Sequence, residues 1–209
     1  MDEREIRQKY YYPDETPKVT IILVLINVLL YVIEVNIVKT GLFKLDIWQD
    51  LGMGWKMDWK TEWYKVFTAM FTHGSLAHLG SNMIALYGAG MYLEEKLGSL
   101  RFFIYYIISG LLGECLGMVF GRFVFESYYL SVGASGAIFG LFGILIVLSL
   151  RKQMFRIPFI RLVLFLALCI GDALTEENID IWGHAGGFLA GMVIGSIYSF
   201  TAGKKAEEE

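Results

Sequence analysis

Six apolar stretches punctuate this chain, each at or near the roughly 20 residues that an α-helix needs to cross the hydrocarbon core of a bilayer. They cover residues 19–38, 75–93, 102–121, 135–150, 157–174 and 183–200. With 56% hydrophobic and 19% charged residues and a mean hydropathy of +0.52, the sequence is too apolar for an ordinary soluble domain. The expected fold is all-α: a polytopic membrane protein of six transmembrane helices. Residues 19–201 form its membrane domain, between a short cytoplasmic tail at 1–18 and a charged cytoplasmic tail at 202–209. The first tail is polar and of mixed charge with no apolar core, so the first stretch is expected to remain as an anchor. The fifth stretch is the weakest, because only 162–171 is free of charge between Arg161 and Asp172. That spacing predicts a short, tilted helix with Arg161 snorkelling to the surface.

Charge and cysteine content exclude several functions. A formal net charge of -3 leaves no basic arm to meet phosphates, so nucleic acid is not an expected partner. Cys115 and Cys169 lie inside apolar stretches, without the spacing of a disulfide framework or a metal site, and read as small packing residues. Neither a metal nor another cofactor is expected. The basic residues instead set topology: Arg4, Arg7, Lys9 and Lys18, then Lys96 and Arg101, then Arg151, Lys152 and Arg156, then Lys204 and Lys205 alternate with poorer loops. Both termini should therefore be cytoplasmic. The long first loop, residues 39–74, carries Lys39, Lys44, Lys56, Lys60 and Lys65 but constrains orientation weakly; its Trp48, Trp55, Trp59 and Trp63 suit the membrane interface.

This orientation starts the second, fourth and sixth helices on the outer side, so His78, Ser135 and His184 fall at the same end of the bundle. Ser135 stands in Gly133-Ala134-Ser135-Gly136-Ala137-Ile138-Phe139-Gly140, where a polar loop enters an apolar run. A free serine hydroxyl is a poor nucleophile and needs a base and oxyanion donors. His184 opens the sixth stretch, with Gly187, Gly191 and Gly195 at four-residue spacing; Gly136, Gly140 and Gly143 make a comparable stripe after Ser135. Small residues at such spacing let membrane helices approach at the backbone, and pairing of the two stripes brings Ser135 and His184 within hydrogen-bond reach. Taken alone, these stripes are common packing features of membrane bundles. His78 and Asn82 share one face of the second helix, near His73, and are either interhelical glue or oxyanion donors alongside the Ser135 backbone N–H. With Ser135 and His184 present, the donor reading is the better account. No acidic residue is placed to orient His184: Asp180, Asp172 and Glu176 have no evident tie to it, so a dyad is the economical reading. A soluble hydrolase elbow is excluded by Ala137 after Gly136 and by the lack of a preceding strand pattern. Glu114, midway along the third stretch, is a functional candidate by default but equally a hydrogen-bonded packing residue; Asn27 reads as an interhelical hydrogen bond.

His73-x4-His78-x3-Asn82, Gly133-x-Ser135-Gly136 and Gly183-His184-Ala185-Gly186-Gly187, in that order on six stretches, resemble the rhomboid intramembrane serine proteases of the bacterial six-helix type. The resemblance implies a rhomboid-like bundle with a long interfacial first loop, in the bacterial cell (inner) membrane, with its active site toward the extracytoplasmic side. It implies Ser135 as nucleophile, His184 as general base and then acid, and an oxyanion hole of His78, Asn82 and Ser135. His73, Gly133, Gly136 and Gly187 are implied as site support, His73 mainly through the first loop. Glu94 matches an acidic partner for a Trp-Arg type motif, here Trp63-Tyr64-Lys65, where a lysine leaves only a point-charge contact. Implied substrates are transmembrane segments of other membrane proteins, admitted laterally past the short fifth helix. The rival from another class is a catalytically silent rhomboid-like protein that binds membrane clients; intact Ser135 and His184 speak against it. A transporter has little support without an inverted repeat or charged pathway.

Overall fold

The computed structural model describes residues 16–40, 50–54, 57–124, 130–151, 167 and 180–208. Five long helices account for most of them: α1 (Lys18–Thr40), α2 (Leu76–Leu97), α3 (Ser99–Met118), α4 (Ser135–Leu150) and α5 (Ile181–Glu208). Three segments, Lys18–Thr40, Ser99–Gly121 and Ile181–Thr201, are long and apolar enough to cross a membrane, and α4 is a shorter apolar helix. The protein is thus a mostly helical integral membrane protein. The expected fifth span, with Arg161, Cys169 and Asp172, lies outside the described residues apart from position 167, as do residues 41–49 and 55–56 of the first loop.

Burial runs opposite to that of a soluble bundle. On α1, Thr20, Leu23, Asn27 and Glu34 are buried, while Ile22, Leu25, Leu29, Val32 and Val38 are exposed. Apolar side chains can face lipid at no loss, whereas polar ones must find partners inside the bundle. Asn27 donates to the Leu23 carbonyl of its own helix at 2.8 Å and lies beside the Tyr106 hydroxyl of α3 without hydrogen-bond geometry to it. The expected interhelical bond is replaced by an intrahelical one. Between the helices, Leu23, Leu86, Leu93, Phe102, Tyr106 and Phe142 fill the core.

The fold is mostly helical, as expected, with one small pairing of loops besides: β1 (Met53–Gly54) pairs antiparallel with β2 (Leu130–Ser131), Met53 opposite Ser131 and Gly54 opposite Leu130. Two-residue strands are too short to leave an alternating pattern, so only the tertiary approach of two loops reveals them. Lys65 and Glu94 do not meet. Lys65 is in a helical turn, Lys65–Thr68, shortly before α2, while Glu94 lies near the far end of that helix, 18 residues and about 27 Å beyond Leu76. The Lys65 ammonium instead pairs with Glu62, and this hydrogen bond holds the Glu62 carboxyl below its ordinary range.

Glu94 has a different task. Its carboxylate accepts from the backbone N–H of Val19 at 2.9 Å and of Thr20 at 2.8 Å, and from the hydroxyls of Thr20 at 2.8 Å and Ser99 at 2.6 Å. The first N–H groups of α1 have no intrahelical acceptor, and the positive end of its dipole favours an anion. One side chain therefore fastens the start of α1 to the junction of α2 and α3, where Gly98 makes the turn at φ 78°. Gly90 lets Thr20 come this close, since a Cβ there would lie 2.6 Å from the Thr20 side chain. Glu94→Ala is expected to lower stability by about 3 kcal/mol by stranding these donors. Thermal unfolding in detergent micelles checks this, and an unchanged transition would show that α1 is held by other contacts.

Candidate active site

The tightest packing in the protein joins α4 and α5 through glycine. A Cβ on Gly187 would overlap the Gly136 carbonyl, one on Gly191 the Gly140 carbonyl, and one on Gly143 the Phe188 carbonyl. Backbone is therefore in contact with backbone over two helical turns, which only residues without a side chain allow. Gly136 contributes through its carbonyl and Cα, because its own Cβ direction meets only the Gly183 oxygen at 3.7 Å.

This docking fixes the two side chains at the starts of the paired helices. His184 Nε2 lies 2.7 Å from Ser135 Oγ, part-buried and bridging 49 residues of sequence. The Phe139 ring stacks on the His184 imidazole, with centroids 4.5 Å apart and an interplanar angle of 16°. Phe139 is four residues after Ser135, hence on the same face of α4, a spacing that could have singled it out in the sequence. Asp180 serves the base through the backbone: its carboxylate accepts from the Gly183 N–H at 2.7 Å and its carbonyl from the His184 N–H at 3.1 Å. It caps the first turn of α5 and so orients the helix that carries the imidazole.

His78 and Asn82 approach from α2, both buried. The Ser75 hydroxyl caps α2 by accepting from the His78 N–H at 3.0 Å. Their side chains close on the loop before Ser135: a Cβ on Gly133 would lie 2.8 Å from the His78 ring and 3.4 Å from Asn82 Nδ2. Gly133 also has φ 113°, which L side chains rarely adopt, and its N–H donates to the Ala69 carbonyl at 2.8 Å. Glycine is required there both for its backbone and for the space it leaves. Ser135 is the first residue of α4, where backbone N–H groups lack intrahelical acceptors. The side chains of His78 and Asn82 thus converge on Gly133 in the loop that leads into Ser135.

His73 is buried and packs edge-on against His78, with centroids 5.3 Å apart, so its visible contact is with the neighbouring histidine. Glu34 interrupts the apolar residues of α1 near its far end. Its carboxyl, on α1, is buried beside Thr72 and His73 of the turn that leads into α2. Among the described residues, no group of three His, Cys, Asp or Glu side chains could hold a metal ion.

A bundle in which glycine-docked helices hold a serine against a histidine at their starts defines a class, and the family comparison agrees with it. The Rhomboid domain family matches residues 60–200, so the chain belongs to the rhomboid family. Among its relatives are the rhomboid protease GluP of Bacillus subtilis, 35% identical over 131 residues, and the putative rhomboid protease YdcA of the same organism, 29% identical over 165 residues. A third is the rhomboid-like protease 3 of Toxoplasma gondii, 30% identical over 142 residues. These matches cover 62%, 77% and 65% of this chain, and 25%, 78% and 52% of the respective relatives. The chain therefore spans only a quarter of the length of GluP but most of that of YdcA.

The glycine contacts make a paired prediction. Gly187→Ala is expected to slow modification of Ser135 by a fluorophosphonate about a hundredfold or more, because the methyl collides with backbone and forces α5 away. Gly136→Ala, with room for its methyl, should stay within a few-fold of wild type. Equal effects of the two would show that the helix contact does not set the serine-histidine distance.

Proposed function

We propose that the protein is an intramembrane serine endopeptidase that cleaves peptide bonds in or beside transmembrane segments of other membrane proteins. The 2.7 Å contact between His184 Nε2 and Ser135 Oγ carries this reading. Membership of a family whose relatives GluP and YdcA are named as proteases supports it.

In the proposed reaction, Ser135 Oγ attacks the substrate carbonyl while His184 Nε2 takes the hydroxyl proton, which requires the imidazole to carry its other proton on Nδ1. Negative charge then develops on the carbonyl oxygen. The Ser135 N–H, the Asn82 amide and the His78 ring are the donors offered to it, pre-positioned and shielded from bulk water. His184 next protonates the departing amine, the acyl-enzyme remains on Ser135, and water activated by His184 releases the second product. Stacking on Phe139 and the capped start of α5 orient the base, a role that needs no carboxylate on the ring.

In this reading the membrane domain has six spans: the five helices described, and residues 157–174 between α4 and α5. Both termini are cytoplasmic and the dyad faces the extracytoplasmic side of the cell membrane. α4 has 16 residues, about 24 Å of helix against a hydrocarbon core of about 30 Å. With Arg151 at its other end lying over the Phe200 ring, 4.1 Å from the centroid, the start of α4 falls short of the outer surface. Ser135 is thereby sunk to the depth at which a membrane segment can be reached, and the polar side chains around it favour a wet recess above.

A fluorophosphonate probe should label the detergent-solubilised wild type and not Ser135→Ala or His184→Ala. Asn82→Ala is expected to lower kcat on a transmembrane peptide about a hundredfold with little change in melting temperature. A folded wild type that neither labels nor cleaves would indicate the silent client-binding protein instead.

A further inference from the structure

Glu114 remains without a part in the chemistry above, although it is 2% exposed and lies within a membrane helix, about one turn before the end of α3 at Met118. A carboxyl group is not kept at such a depth without partners, because its desolvation is costly. One partner is specific: the Ser131 hydroxyl, itself buried, donates to Glu114 Oε1 at 3.0 Å. Ser131 belongs to β2, four residues before Ser135, and the segment between them contains Gly133, against which His78 and Asn82 close.

That segment has few supports. The β1 strand holds it on one side through the Met53–Ser131 pairing, and the Ala69 carbonyl holds Gly133 by a 2.8 Å hydrogen bond. Both of those anchors belong to the first loop and the turn that follows it. Glu114 supplies the tie to a membrane helix, and α3 is also the helix that packs against the base: a Cβ on Gly113 would lie 2.9 Å from the Gly183 carbonyl and 3.2 Å from the Gly187 nitrogen. Adjacent residues of α3 therefore touch the two halves of the site, Gly113 beside the helix of His184 and Glu114 beneath the loop of Ser135.

We propose that Glu114 is a positioning residue for the proposed reaction: through Ser131 it fixes the 131–134 loop so that Gly133, His78, Asn82 and the start of α4 stay in register. The inference rests on the reading of Ser135 as nucleophile. It requires an acceptor at position 114, not a charge. It also places the effect on the chemical step and not on substrate affinity, because Glu114 lies beneath the loop and touches no reacting atom.

The test uses the full chain in detergent micelles, with a fluorophosphonate probe for Ser135 reactivity and a fluorogenic transmembrane peptide for turnover. Glu114→Ala and Ser131→Ala should each slow both reactions about tenfold, with KM within about twofold of wild type. The double variant should be no slower than either single one, since both remove one hydrogen bond. Glu114→Gln, whose amide oxygen still accepts from Ser131, should restore the rates to within about threefold of wild type. Labelling at the wild-type rate in Glu114→Ala, whatever its melting temperature, overturns the proposal. So does a glutamine variant as slow as the alanine one, or additive losses in the double variant. If Glu114→Ala fails to fold, Ser131→Ala against Ser131→Thr makes the same comparison, and an unaffected Ser131→Ala overturns it. A folded wild type that never labels overturns the proposed function and this inference together; a labelled wild type with unaffected variants overturns the inference alone.

Discussion

Contact between the backbones of α4 and α5 is the constraint on which the candidate site depends. Two helices with ordinary side chains at their interface lie 8–10 Å apart, too far for a serine at the start of one to meet a histidine at the start of the other. Removing the side chains at Gly143, Gly187 and Gly191 brings the axes in until carbonyl oxygens fill the places that Cβ atoms would occupy. Lipid supplies no hydrophobic drive to press helices together, so this close fit, with its dispersion contacts, is itself the source of association. The force that holds the bundle and the geometry that pairs Ser135 with His184 are one interaction.

Around that contact the polar groups are arranged by what the bilayer forbids. An unpaired donor or acceptor in hydrocarbon is costly, so the buried polar side chains fasten helix ends and loops at specific points. Glu94 closes the end of the bundle away from Ser135 by accepting from Val19, Thr20 and Ser99. Glu34 reaches the turn before α2, and Glu114 the strand before α4. Each carboxylate lies where a helix meets a segment that regular backbone hydrogen bonding does not fix. The acidic residues within the bundle thus define its non-helical parts, and the candidate site is assembled from those parts.

Much of the candidate site was legible in the sequence because its residues are of types that a membrane helix does not ordinarily carry. His78, Asn82, Ser135 and His184 stand out against apolar surroundings, and alternating loop charges are enough to assign them to one side. Helix starts such as Ser135 were legible too, since a polar loop passes abruptly into an apolar run. Phe139 went unremarked, although it stacks on His184, because only its four-residue spacing from Ser135 sets it apart from the other aromatic residues of an apolar helix. The same holds for β1 and β2, whose two residues apiece cannot show a period. Whether Lys65 and Glu94 meet was left open by the resemblance, and they do not, since Lys65 precedes α2 and Glu94 lies near the far end of that helix.

What the sequence determined by itself is therefore the class of molecule and the few polar residues that stand out within its apolar helices. Length, hydropathy and charge act locally, and helix formation in lipid follows from them without reference to any distant residue. The tertiary structure alone decided which glycines meet, which face of each imidazole is covered, and which carboxylate answers to which hydroxyl. Those choices depend on sub-ångström differences in approach between helices far apart in the chain, as between residues 135 and 184, and no local pattern encodes them.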